Sequence, residues 1–279
     1  MKKGVLMLLG AVLLPSAAAL AQSTTDFPGT IPDNIRFRFG GIYANWNTDV
    51  TFSTPSNPGE EINFTDLIGK PHKFTFRGEG FWNFAGRSFL DFGYISFGTK
   101  NEQTITRDFH FGGVTYKAGA DVTAETFSRF AYAAYRYGIV KNPSFQLGLS
   151  LGISYVTMRA DMTASAGVVG PGGVPIVGTT VKEAQIQAPI PLLGIEAEGQ
   201  IAEKLSGGIR FRAFGATIHP YSGNAEEVLG HVDYFFIPNF GLGGAYEWTH
   251  LSLKKTTDSK TIQFNYRYNG PRVYVIVTF

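Results

Sequence analysis

The sequence predicts an all-β protein, an antiparallel up-and-down transmembrane barrel of ten strands. Three observations predict it. From Phe145 to Tyr155 the chain alternates strictly, with Phe145, Leu147, Leu149, Leu151, Ile153 and Tyr155 on one face and Gln146, Gly148, Ser150, Gly152 and Ser154 on the other. Eleven residues match a tilted strand crossing a bilayer, with aromatic residues at the two interfaces. The composition agrees: charged residues are 16 % of the chain, against about 25 % in soluble domains, while aromatics reach 14 % and there are 34 glycines. Beyond the first 21 residues no apolar stretch approaches the ~18 residues of a membrane helix.

Taken in order, the chain opens with Met1, Lys2 and Lys3, an apolar run from Gly4 to Leu14, and an Ala19-x-Ala21 site. This is the pattern of a cleaved secretory signal peptide over 1–21, with the mature chain starting near Gln22 and a short segment, 22–34, before the barrel domain at 35–279. The chain has no cysteine. That excludes lipid attachment through an N-terminal thiol, disulfides, thiolate zinc sites and cysteine nucleophiles. Loss of Lys2 and Lys3 lowers the 24 basic residues to 22, equal to the 22 acidic ones. A formally neutral chain presents no basic surface for nucleic acid.

The alternation template places strands at about 35–48, 72–84, 88–107, 122–138, 145–155, 183–201, 206–219, 226–237, 241–256 and 261–279. Short connections recur at Ala85-Gly86-Arg87, Lys141 to Ser144, Glu203-Lys204 and Ile237-Pro238-Asn239; long or tip-like ones, including 49–71 and the Gly/Pro/Val-rich 161–182, lie between them. This is the rhythm of an up-and-down barrel, which needs an even strand count and leaves eight or twelve as the alternatives to ten. Gly112-Gly113 and Gly170-Pro171-Gly172-Gly173 have no following helix and read as turns, not phosphate cradles.

The last nine residues, Pro271 to Phe279, put Val273, Val275, Val277 and Phe279 on one face. In this the chain resembles the bacterial outer-membrane barrel class, whose members commonly end in a strand closing on a C-terminal Phe; Val277 stands where such a signal often has a second aromatic. The resemblance implies export to the outer membrane of a Gram-negative cell, recognition of the final strand by the barrel-assembly machinery, short turns toward the periplasm and long loops outward.

Alternation also assigns charges to a face, because Arg or Lys facing lipid at mid-depth costs about 2–4 kcal/mol. Arg36, Arg38, Arg77, Glu79, Asp91, Arg136, Glu196, Glu198, Arg210, Arg212, His231, Asp233 and Glu247 are thereby predicted to line the lumen. Gln185 and Gln187 differ in parity from Glu196 and Glu198, which predicts a bulge near Pro189 to Leu192. A ten-stranded interior is barely wider than its side chains, so these charges should bridge it as a closed network.

The catalytic and metal readings are weak. Of His72, His110, His219, His231 and His250, only His231 has a same-face partner, Asp233, and the two fit the ion-pair network. His250-Leu251-Ser252 resembles the His-x-Ser of outer-membrane lipid A acyl hydrolases, but Leu253 replaces the Asn that follows there, and the parity of Tyr246 and Trp248 turns His250 outward. Omptin-type surface proteases are also ten-stranded, and that resemblance implies acidic pairs and an Asp-His pair at the outer rim. His219 has no such partner in the pattern, and Glu60, Glu61, Asp66, Glu226 and Glu227 read as solvated loop residues. No cofactor, metal or catalytic residue is assigned. The expectation is a structural or surface-interaction protein, monomeric, meeting lipopolysaccharide or other partners through 49–71, 108–121 and 161–182. A narrow solute channel is the alternative, with a lipid hydrolase or a protease behind it.

Overall fold

The computed structural model describes residues 35–55, 59–68 and 72–279; the expected signal peptide and the segment 22–34 lie outside the described residues. Ten long strands form the wall: β1 (Ile35–Ser53), β2 (His72–Ala85), β3 (Ser88–Thr104), β4 (Asp121–Asn142), β5 (Phe145–Ala164), β6 (Thr180–Ala202), β7 (Leu205–Ile218), β8 (Tyr221–Ile237), β9 (Phe240–Thr256) and β10 (Thr261–Thr278). Each pairs antiparallel with its neighbours in sequence, and β10 returns to β1 with Arg36 opposite Thr278 and Ser53 opposite Thr261. Closure leaves no free edge at that join. It is completed where the Ile35 N–H donates to the Phe279 carbonyl at 3.2 Å and the Phe279 N–H to the Ile35 carbonyl at 2.9 Å.

At the end carrying Ile35 and Phe279 the connections are two-residue turns. Asn142 Oδ1 shapes one of them, accepting from the Ser144 and Phe145 N–H groups at 3.0 and 2.8 Å. At the other end the connections are longer and partly folded, except for the two-residue turn His219-Pro220 between β7 and β8. A helical turn, Phe64–Ile68, follows the rung Glu61–Asn63, and a four-stranded sheet joins Phe109–Phe111, Val114–Tyr116, Val168–Val169 and Pro175–Ile176. Gly112 and Gly113, with φ of 64° and 78°, supply the left-handed pair that a tight two-residue hairpin needs.

Several strands overrun the lengths read from the pattern. β5 continues to Ala164 instead of stopping at Tyr155, β1 reaches Ser53, and β8 begins at Tyr221. The reason is a switch in polarity partway up the wall. Leu149, Leu151, Ile153 and Tyr155 of β5 face outward, Leu151 with 61 % of its surface exposed. One turn of the pleat later, Val156, Met158, Ala160 and Met162 are buried inside, Met158 completely, while Thr157, Arg159 and Thr163 take the outer face. β4 and β6 switch at the same level, and Val122, Ala124, Ala184, Ile186, Ala188 and Ile190 are buried there.

The expected bulge near Pro189 to Leu192 is absent. β6 pairs with β5 without a register shift from Thr180 to Gly199, so Gln185 and Gln187 share the outward parity of Pro189. They belong to the polar outer wall above an apolar belt. That belt runs from Leu147 to Tyr155 on β5, roughly 20–25 Å high at the usual tilt, the height of a bilayer's apolar band. Above it the outer face carries ion pairs, Arg159 with Asp161 at 2.7 Å and Arg267 with Asp49 at 3.6 Å.

Candidate functional site

The lumen is filled in two storeys. In the lower one all thirteen residues assigned to the interior by parity are buried. Arg36 reaches across from β1 to Glu198 on β6, on the opposite wall, and lies 3.7 Å from Asp233. Arg38 binds Asp233 at 2.7 Å, and the Tyr274 hydroxyl donates to the other oxygen of that carboxylate at 2.6 Å. Glu79 is the hub of a second group: Arg77 at 3.1 Å, Arg210 at 3.2 Å and Arg272 at 3.1 Å all converge on it from three strands. Arg77 also pairs with Glu247, which accepts from the Tyr268 hydroxyl at 2.5 Å. Arg136 donates to Asp91 at 2.9 Å and lies over the Phe89 ring at 4.4 Å. Glycines make room for these arms: a Cβ on Gly148 would stand 2.9 Å from Arg136 Cγ.

Parity reasoning missed two charges. Arg272 is buried, on the face of β10 opposite Val273; its neighbours were read for the outer face alone. Glu227, assigned to a solvated loop, lies within β8 and accepts from Arg210 at 2.9 Å. With them the inward charges number seven arginines (36, 38, 77, 136, 210, 212, 272) against seven carboxylates (79, 91, 196, 198, 227, 233, 247). A balanced set suits a low-dielectric interior, where an unpaired ion costs several kcal/mol.

The upper storey is apolar. Trp46 packs edge-on to Phe97 at 5.3 Å between centroids, Phe97 lies 5.0 Å from Tyr268, and Phe130 lies 5.6 Å from Tyr266. The loops extend this core as a lid, with Phe111 meeting both Phe52 and Phe64 at 5.6 Å. The segments 49–71, 108–121 and 161–182, read as open partner-binding loops, therefore give much of their length to covering the barrel. The most exposed apolar part is the tip at 170–178, where Val177 is 97 % exposed and Val174 64 %. Elsewhere in the lid, Lys117 and the Ala118 N–H, at 2.7 and 2.8 Å, hold the exposed Asp108 carboxyl below the usual carboxylate range.

The candidate chemical groups fall as follows. Glu198, His231 and Asp233 converge closely enough to suggest three metal ligands, but Arg36 and Arg38 already take their carboxylate oxygens, and Arg38 Nη2 sits 3.2 Å from His231 Nε2. The donors are thus spent on guanidinium. His231 with Asp233, at 4.0 Å, is the one His–carboxylate ion pair among the described residues, and it lies near the turn end of β8, far from the outer rim. Ser252 donates to Asn265 at 2.8 Å, and His250, on the outer face, lies tilted beside Trp248 with 6.4 Å between ring centroids. Val273, Val275, Val277 and Phe279 face outward, Phe279 with 68 % exposure.

No protein-family model matches the sequence, and no curated protein matches it. Among solved structures, the outer membrane protease OmpT from Escherichia coli superposes with a TM-score of 0.55 at 13 % identity, over 89 % of this chain and 98 % of that one. The translocator domain of the autotransporter NalP from Neisseria meningitidis gives 0.39 at 9 % identity, over 94 % and 91 %. The attachment invasion locus protein Ail of Yersinia pestis gives 0.27 at 9 %, over 86 % and 99 %. The likeness to the protease shows the fold: this chain is a closed, ten-stranded, up-and-down β-barrel of the outer-membrane type.

Proposed function

We propose that the chain is an integral outer-membrane protein whose barrel is sealed, and that it acts as a structural or surface-interaction protein through its outer end. The observation that carries this reading is the double filling of the lumen, by charge pairs spanning the lower storey and by aromatic and aliphatic packing above it. A conducting pore needs a continuous wet path, and a single-sign ring would mark ion selection. Seven buried charges of each sign, several of them paired across the bore, do not form a single-sign ring. The narrow-channel alternative would require a continuous wet path through both storeys.

The reading carries no enzymatic activity. The His–carboxylate pair is tied to arginine, and Ser252 is turned toward Asn265. The exposed apolar tip at 170–178 is the surface offered to a partner, lipopolysaccharide or another envelope component. The barrel itself is taken as a monomer.

Because the chain has no cysteine, single cysteines report cleanly. In intact cells, Val177→Cys should react with an impermeant maleimide, and Pro143→Cys, in a two-residue turn, should not. With a photoreactive maleimide, the Cys at 177 should yield a crosslinked species absent from the control. Labelling at 143 alone would reverse the orientation, and a crosslink-free 177 would remove the interaction role.

The terminal strand gives a second test of this placement. Deleting Phe279 should lower the heat-modifiable, membrane-assembled fraction in cells severalfold, with little loss of stability once the protein is refolded in vitro. Equal loss in both settings would make Phe279 a packing residue and not an assembly signal.

A further inference from the structure

One part of the wall is unzipped. β6 and β7 are hydrogen-bonded only from Leu193/Ala213 downward; above that level Thr180–Leu192 pairs with β5 alone and Phe214–Ile218 with β8 alone. Pro189 and Pro191 sit just above the last rung, and a residue without an N–H is confined to the free side of a strand. The gap begins beside Leu151 and Ile153, at about mid-height of the apolar belt, and runs upward from there, so it faces the outer half of the bilayer.

Behind the gap lies a small cavity of about 70 Å³, open toward the gap, between the two storeys. Phe130, Val156, Ile190 and Leu251 line its apolar side, Leu192 and Ala213 its mouth. Arg212 forms part of its floor. It is 2 % exposed, and none of its three guanidinium nitrogens makes a hydrogen bond. Each of the other six lumen arginines makes at least one. Its nearest carboxylate, Glu227, stands at 3.8 Å, and the Tyr132 ring lies 4.2 Å beneath it. A buried guanidinium without acceptors carries the full cost of its lost hydration. The position is built and not accidental, since a Cβ on Gly194 would come 2.9 Å from Arg212 Cγ.

We propose that this chamber binds a single-chain amphiphile with a carboxylate head, a free fatty acid from the outer leaflet, with its head on Arg212 and its chain leaving between Leu192 and Ala213. A planar carboxylate supplies the two parallel acceptors a guanidinium fork takes best. The apolar walls then meet methylenes, which a hydrated small anion lacks. The proposal goes beyond the sealed-barrel reading and shares with it only the placement in a bilayer.

The test uses the full mature protein in phosphatidylcholine nanodiscs, with insertion checked by heat-modifiable gel mobility, so that failure of bilayer placement shows separately from failure of binding. Carboxyl-labelled ¹³C-laurate should show a bound carboxylate resonance distinct from the lipid pool. Arg212→Gln should weaken binding at least tenfold. Ala225→Phe, which fills the chamber and leaves Arg212 in place, should abolish it and decides the matter if the first variant does not fold. Acetate and dodecanol should not compete. No bound signal in the wild type, undiminished binding in both variants, or competition by dodecanol or acetate equal to that of laurate would each overturn the assignment.

Discussion

Glu79→Gln should cost the folded barrel about 3–5 kcal/mol, read as a drop in the urea midpoint of refolded protein in vesicles, with Trp46, Trp82 and Trp248 as fluorophores. The carboxylate is buried and holds Arg77, Arg210 and Arg272 at once. The amide preserves shape and one acceptor but leaves seven cations facing six anions in a medium that does not hydrate them. Adding Arg272→Gln restores the balance, and the double variant should be more stable than Glu79→Gln alone. Asp108→Asn is the control: its bond to Lys117 at 2.7 Å is about half exposed on both sides, and its loss should not move the midpoint measurably. A Glu79 variant indistinguishable from that control would show that the lumen is wet enough to solvate single charges.

Leu151→Arg should cost about 2–4 kcal/mol, because Leu151 stands in the middle of the apolar belt. Thr163→Arg, on the same strand and the same outward face, should stay within about 0.5 kcal/mol of wild type. Twelve residues separate the two sites, and their difference measures the height at which the outer wall passes from lipid to water. Equal costs would place the belt's upper rim above Thr163, and equal tolerance would mean that no bilayer surrounds Leu151.

Much of this was legible in the sequence because lipid imposes a simple rule on one face. The ten strands, their short turns and the inward parity of Arg36 through Glu247 all follow from it. What escaped has a common cause. The alternation template assumes apolar residues point outward along the whole strand, and that holds only while lipid surrounds the wall. At Val156, Ala184 and Ile186 the apolar residues point inward, as in a water-soluble barrel, so the strands were cut short and the parity of Gln185 was explained by a bulge that does not exist. Glu227 was read as solvated because it stands at the very start of the strand expected at 226–237, whereas the strand begins five residues earlier, at Tyr221. Pro189 and Pro191 did carry a signal; it marked a free strand edge. The missing hydrogen bonds of Arg212 had no sequence signature, because they depend on which side chains meet across the bore.

The sealed lumen is tested most directly by single-channel recording of the refolded protein in a planar bilayer. The account predicts silence from the wild type. It also predicts silence from the Arg36→Ala, Arg77→Ala and Arg210→Ala variants, because the packing around Trp46, Phe97 and Phe130 closes the bore above the charges. Steady, ion-selective current through the wild type would contradict it and make the charged storey a conduction path.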